Sequence, residues 1–439
     1  MAAQGVAPAV EERRKIEKYT HICCYAGCMR MPRVTSTNSA TTRPNTHHRP
    51  PHPTVVRRLA TVSVWCTLAL LPTTIAPHPH EQVSALGARS ALPLHDRGGT
   101  PDRSPIPHRG ATTSEPTAEL IDTCDLADST VVHGTGPAAR APFGGISGID
   151  RVAGDNYIAI SDDRSDKGPA RAYPLTLPRT PRGGTSTTTI HPPITLTDTT
   201  GTPYTPGRVD PESIRVTPQG NLVWSSEGHA DAGIAPSITL ASPDGHAQRN
   251  YTIPDYHYPN AGHGVRNNEA YEAITLIDGG KDAAVLTEGP LQQDTRNRLT
   301  IYDTTTGTPW AEYTYQLDPA DPGSDKRGAS EILTIDDHTF LTLERDYVPG
   351  QGTRGKLYRV RIGAASNVLG QATLDDQDVP VDKEELMNFS PHGDNPDNIE
   401  GMTWGPNQPD GRRTLLVTTD NNFSGKQRTL VHTIALRTP

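Results

Sequence analysis

The residues best equipped for chemistry in this 439-residue chain are carboxylates that return at a regular interval. Ser147-Gly148-Ile149 is followed by Asp162, Glu212-Ser213-Ile214 by Glu227, and Glu272-Ala273-Ile274 by Glu288. Ser330-Glu331-Ile332 is followed by Glu344, and Glu400-Gly401-Met402 by Asp420. Within a unit the two polar positions stand 13 to 20 residues apart, the length of two strands and a turn. Successive units start near 147, 212, 272, 331 and 400, a period of 60 to 70 residues that suits a repeat architecture with loop insertions.

A propeller places equivalent positions of successive blades around one axis, so an acid repeated once per blade becomes a ring. Glu212, Glu272, Glu331 and Glu400 are expected to form one ring, and Asp162, Glu227, Glu288, Glu344 and Asp420 another. So many converging carboxylates cannot all stay ionised without a compensating charge. A hard cation with oxygen ligands, Ca²⁺ first, is the natural compensator. The ligands expected for it are Asp162, Glu212, Glu227, Glu400 and Asp420; Glu272, Glu288, Glu331 and Glu344 are the expected catalytic groups. Arg164, Arg266, Arg345 and His263 are the expected substrate contacts, the guanidinium groups being able to hold a phosphate bidentately. The competing reading is structural: the acids cap hairpins, each arginine pairs with a neighbouring carboxylate, and His263 is a loop residue.

The elements that must position these groups are short strands. Hydrophobic residues make up 33% of the chain, with 4 Phe against 41 Pro and 39 Gly, which is poor material for long buried helices. Apolar runs such as 157–160, 221–224, 283–286, 339–343 and 414–418 follow turn-forming residues throughout the C-terminal three quarters. The fold class expected is all-β, a β-propeller of six blades or else five. Glu119–Val132 closing against Thr429–Leu436 is the candidate sixth blade, and such closure removes exposed sheet edges.

Residues 86–439 hold 46 acidic and 31 basic residues, a balance that excludes a nucleic-acid partner and suits a cation binder. Residues 1–85 read as a leader, with Arg57-Arg58 before an apolar stretch at about 59–76 that has the pattern of a signal peptide. Residues 86–118 read as a linker, and 119–439 as the folded domain. The expected protein is therefore secreted, monomeric, and without stable membrane insertion once the signal is cleaved. Cys124 is the single cysteine in the folded part, so no disulfide is expected there.

Five phrases in order carry a family resemblance: 144–149 with Ile160-Ser161-Asp162-Asp163-Arg164, Asp210-Pro211-Glu212-Ser213-Ile214, 266–274, 341–346, and Asn398-Ile399-Glu400-Gly401-Met402. In these the chain resembles the phytase-like family, whose domain is named for the esterase-like activity of phytase, over about residues 140–437. The resemblance implies a secreted propeller that hydrolyses small-molecule phosphate esters or other esters; a lactonase-like hydrolase and a non-catalytic binding propeller are the alternatives. The family usually has Glu-Gly where this chain has Glu212-Ser213 and Glu272-Ala273. No Gly-x-Ser-x-Gly elbow is present, and Ser147 reads as a repeat variant rather than a nucleophile. Gly262-His263-Gly264-Val265-Arg266 lacks the flanking residues of a histidine acid phosphatase signature. The Asp394–Asn398 loop is a further Ca²⁺ candidate.

Overall fold

A computed structural model describes residues 118–180, 182–390 and 396–437. The expected leader, most of the linker and the first part of the Asp394–Asn398 loop lie outside the described residues.

The described chain is all-β, and its only helical pieces are 3₁₀ turns of three or four residues. In chain order the strands are β1 (Ala118–Asp125), β2 (Thr130–Val131), β3 (Ile146–Ala153), β4 (Asn156–Ser161), β5 (Arg171–Thr176), β6 (Thr189–Ile190) and β7 (Ile194–Thr195). There follow β8 (Pro211–Val216), β9 (Leu222–Ser226), β10 (Ser237–Ala241) and β11 (Ala247–Asn250). The third group is β12 (Tyr271–Ile277), β13 (Asp282–Thr287), β14 (Asn297–Asp303) and β15 (Thr308–Tyr315). The fourth is β16 (Lys326–Asp336), β17 (Thr339–Val348), β18 (Gly352–Arg361) and β19 (Asp382–Asn388). The chain ends with β20 (Asn398–Gly405), β21 (Arg413–Asp420) and β22 (Leu430–Leu436).

These strands form five sheets, so the propeller has five blades, the smaller of the two expected counts. β3, β8, β12, β16 and β20 are the inner strands, each beside the next, with β20 returning to β3. The N-terminal segment does close against the C-terminal strand, but β1 is the outer strand of the fifth blade rather than the start of a sixth. Loops between and within blades, not an additional sheet, account for the long sequence period.

The hydrophobic core is divided among the interfaces between blades. Ile160, Ile214 and Trp224 fill the first, Val223, Ile274 and Tyr302 the second, and Leu299, Ile332 and Tyr358 the third. Leu341, Met402 and Val417 fill the fourth, and Ile149, Leu416 and Val431 the closing one. The aliphatic residue that ends each repeated triplet is thus a wedge between blades. Near the axis the inner strands approach closely. A Cβ at Gly148 would stand 2.7 Å from the Glu212 carbonyl oxygen and the Ser213 Cα, so no larger residue fits there without a shift.

Each inner strand carries a β-bulge where the repeated triplet begins, at Ser147, Glu212–Ser213, Glu272, Ser330 and Glu400. The extra residue leaves the ladder and its side chain is re-aimed. The candidate site is built on these five irregularities.

Candidate functional site

Three of the bulge side chains, Glu212, Glu272 and Glu400, line a cavity of about 1150 Å³ at one mouth of the axis. Ser147, Glu212, Glu272, Ser330 and Glu400 hold equivalent bulge positions, so the inner ring is three acids and two serines rather than all acid. Ser147 Oγ donates to Glu212 Oε2 at 2.8 Å, which ties the first two blades together.

A second ring stands on the next strand of each blade, at or just past its end in four blades and inside the longer β17 in the fourth. Its members are Asp162, Glu227, Glu288, Arg345 and Asp420. Four blades supply an acid and the fourth supplies a guanidinium. Arg345 ion-pairs with Glu272 at 3.2 Å, Glu288 at 3.0 Å and Glu400 at 3.0 Å, and donates to Asn398 Oδ1 at 2.9 Å. Burial works against its charge, yet Glu400, Glu288 and Glu272 hold it more firmly protonated than an ordinary arginine.

Glu331 and Glu344 lie outside this mouth, each because of a one-residue offset. Successive strand residues face opposite sides, so a shift of one changes the surroundings completely. Glu331, one position past the bulge, is fully buried and pairs with Arg215 at 2.8 Å. It also accepts from Ser213 Oγ and from the Ile332 backbone N–H. Burial raises its carboxyl to about 7 despite the arginine. Arg215 donates in addition to the carbonyls of Ile149 and Ile332, so this pair links the inner strands of three blades. Glu344 faces the far side of β17, accepting from Tyr315 Oη at 2.6 Å and pairing with Lys383.

Among the described residues, two groups of three buried carboxylates bring oxygen atoms within 4.8 Å of one another. One is Asp210, Glu212 and Glu227, the other Glu227, Glu272 and Glu288, and Glu227 belongs to both. Burial first, and then Asp210 and Glu272, raise Glu212 well above the carboxylate range. Burial and Glu288 do the same to Glu227 and to Glu272. The donors are carboxylate oxygens alone, a set that fits a hard divalent cation and not a soft one.

The rest of the mouth is mixed in charge. Arg164 donates to Asp210 Oδ2 at 2.7 Å and to Asn268 Oδ1 at 2.5 Å, bridging the first three blades. Lys326 sits 3.3 Å from Glu288. Asp162 and Glu400 line the cavity as well, whereas Asp420 is fully buried behind them. Burial, and then Asp162 among other charges, raises Glu400 to about 7; burial and Glu400 raise Asp420 to about 8. Arg266 and His263 are not among the residues that line the mouth. Arg266 donates to the Pro290 carbonyl at 2.9 Å, and His263 exchanges backbone hydrogen bonds with Asn260.

Sequence reasoning missed three contributors: Asp210, Lys326 and the ring position of Arg345. A signal for two of them was present. Two residues before the aliphatic wedge stands Ser330 in the fourth unit, and counting from that anchor moves Glu331 off the ring. Asp210-Pro211-Glu212 likewise puts two acids on either side of a strand start. Lys326 had no comparable signal, because it belongs to an extension of β16 that the other inner strands lack.

The family model for phytase-like proteins, described as esterase-like activity of phytase, matches residues 141–423. No curated protein matches the chain. Similar solved structures include an α-L-arabinofuranosidase from Podospora anserina in complex with cellotriose, at 11% identity and a TM-score of 0.37, covering 71% of this chain and 96% of that one. The β-propeller domain of Cps50 (Swd1) from Myceliophteria thermophila is 11% identical with a TM-score of 0.29, covering 73% and 100%. The Dos1 propeller is 7% identical with a TM-score of 0.30, covering 66% and 68%.

Proposed function

The chain belongs to the phytase-like family, and on that premise we propose that it is a metal-dependent hydrolase of small-molecule esters, phosphate esters first, working at the acidic mouth of the propeller. The observation that carries this reading is the pair of carboxylate triads joined through Glu227 and faced by the cations of Arg164, Lys326 and Arg345.

Asp210, Glu212 and Glu227 would hold one hard cation, with Ca²⁺ the natural candidate, and Glu227, Glu272 and Glu288 a second. When bound, such ions supply polarisation of the ester oxygen and a water nucleophile at neutral pH. The chain's own groups supply the remainder. Arg164 and Lys326 attract and orient the anionic head of a substrate at the rim. Arg345 fixes Glu272, Glu288 and Glu400 in place. Glu400, raised to about 7, can hold or release a proton at the cavity wall under neutral conditions. Asp162, lining the same wall, is raised well above its ordinary value by burial and by Asp420. The signal-like apolar stretch at about 59–76 of the leader supports secretion, and no described helix is long and apolar enough to cross a membrane. A monomer suffices, since the mouth is complete within one chain.

A second reading, a non-catalytic binding propeller, is favoured by Arg345 itself, which compensates three of the acids with a fixed charge. One experiment separates the two. Calcium is titrated calorimetrically into the purified protein, and phosphate-ester and carboxylic-ester hydrolysis is followed with and without EDTA. Two equivalents are expected, with Asp210→Asn and Glu288→Gln each removing one and Glu227→Gln removing both together with turnover. Binding without turnover favours the binding propeller. An absence of calcium binding in the wild-type protein refutes the metal-dependent reading.

A further inference from the structure

One buried ion pair, Arg215 with Glu331, sits one step along the inner strands from the acidic ring, and neither residue lines the cavity. Its contacts repeat around the axis. One terminal nitrogen of Arg215 donates to the carbonyls of Ile149 at 2.9 Å and Ile214 at 2.8 Å, and the other to the carbonyl of Ile332 at 2.9 Å. Glu331 accepts from the Ile332 N–H at 2.9 Å and stands 3.5 Å from the Met402 nitrogen. Ile149, Ile214, Ile332 and Met402 are the wedge residues of four different blades, each two positions beyond its bulge. The pair therefore holds four inner strands at one equivalent level, and it does so through main-chain atoms.

The link to the ring runs through Ser213. Its hydroxyl lies 3.1 Å from both oxygens of Glu331, and its N–H donates to Ser225 Oγ at 3.0 Å. Ser225 Oγ in turn donates to the Glu272 carbonyl at 3.3 Å. Ser213 follows Glu212 in the bulge of β8, so the two share the peptide from which the Glu212 carboxylate is directed into the mouth.

A buried pair of this kind adds little net stability, because the cost of taking two charges out of water offsets their attraction. Apolar side chains of similar volume could fill the same space. They could not bond to the wedge residues of several blades at once, nor hold the Ser213 hydroxyl.

We infer that Arg215 and Glu331 are a positioning pair, which sets the spacing of the inner strands and, through Ser213, holds Glu212 where it can share a cation with Asp210 and Glu227. The inference rests on the reading of the mouth given above. The first cation site then depends on side chains that touch neither ion nor substrate.

The test titrates calcium calorimetrically into the full chain carrying Ser213→Ala, which leaves the ion pair intact and removes one hydroxyl. The site of Asp210, Glu212 and Glu227 is expected to weaken about tenfold, the effect of one hydrogen bond, while the site of Glu227, Glu272 and Glu288 stays within about twofold. Glu288→Gln and Asp210→Asn backgrounds, each retaining one site, tell the two apart. The double variant Arg215→Met/Glu331→Met is expected to keep its Tm in EDTA and still lose about tenfold at the first site, which a merely structural pair would not do. Wild-type affinity at that site in Ser213→Ala, or in a double variant of unchanged Tm, overturns the inference, as does an equal loss at both sites in Ser213→Ala. If the wild-type chain takes up no calcium, the reading of the mouth falls and the pair is judged by amide hydrogen exchange in EDTA. Exchange in β8 about tenfold faster in Ser213→Ala, with β12 unchanged, retains the positioning role. Unchanged exchange in β8, or a rise shared equally by β12, overturns it.

Discussion

Replacing Arg345 with methionine tests the charge balance of the mouth directly. The substitution keeps an unbranched apolar stem and removes the guanidinium that meets Glu272, Glu288 and Glu400 within 3.2 Å. Taking one partner from a buried ion pair costs about 3–5 kcal/mol, because the charge left behind is unpaired. For a domain of this size a loss of 1 kcal/mol lowers Tm by about 2 °C, so Arg345→Met should melt about 6–10 °C below the wild type in EDTA. Calcium should then do more for the variant than for the wild type, since the arginine no longer competes for Glu272 and Glu288. At a thousandfold excess over Kd, ligand binding contributes about 4 kcal/mol, enough to return most of the lost Tm. Differential scanning calorimetry with EDTA and with calcium reads both effects. A variant within about 2 °C of the wild type in EDTA, or calcium stabilising both proteins equally, would refute the assignment of Arg345 as an internal counter-ion.

Two other consequences can be measured by calorimetry, the second together with gel filtration. Glu400 is raised to about 7 in the folded protein from an ordinary value of 4.5, so the native state binds the extra proton and stability declines as pH rises from about 4.5 to about 7. Glu400→Gln removes that titration; it should leave Tm near the wild-type value at pH 5 and raise it at pH 8, by up to about 3 kcal/mol in stability, and a variant less stable at pH 8 would contradict the sign. Truncation to Leu126 removes β1 and exposes the edge of β22, whose ladder partners run from Leu430 to Leu436. The truncated chain should elute as oligomers on gel filtration and melt well below the intact protein, and a monomer of unchanged Tm would show that closure is dispensable.

Much of this architecture is legible in the residues, and the failures are local. Short apolar runs between Pro, Gly and Asp turns specify strands because no stretch is long enough for a buried helix. The aliphatic wedge at 149, 214, 274, 332 and 402 marks the inner strand of every blade. What cannot be read without the backbone is the bulge. It turns a residue out of the two-fold alternation, so Glu331 and Ser330 exchange roles relative to a simple alignment of acids, and Glu344 and Arg345 do the same a strand later. The blade count was equally hidden, because β1 pairs far outside its neighbourhood and loops lengthen each repeat without adding a sheet. Lys326 enters the site through a contact between blades, which no spacing within a blade encodes.

The pairing of β1 with β22 also sets a timetable. Thr123 and His432, hydrogen-bonded at 2.9 Å, are 309 residues apart along the chain. The fifth blade therefore has no complete sheet until β22 has been synthesised, and the loop that must be closed is nearly the whole domain. Contacts of such long sequence separation are slow to form, since the chain loses most of its freedom before they contribute anything. Early blades can assemble through hairpins alone, but the ring, and with it the mouth, exists only after the two ends meet. A chain ending just before Leu430 would carry every ring residue but lack the strand that joins β1 to β21, leaving the seam open.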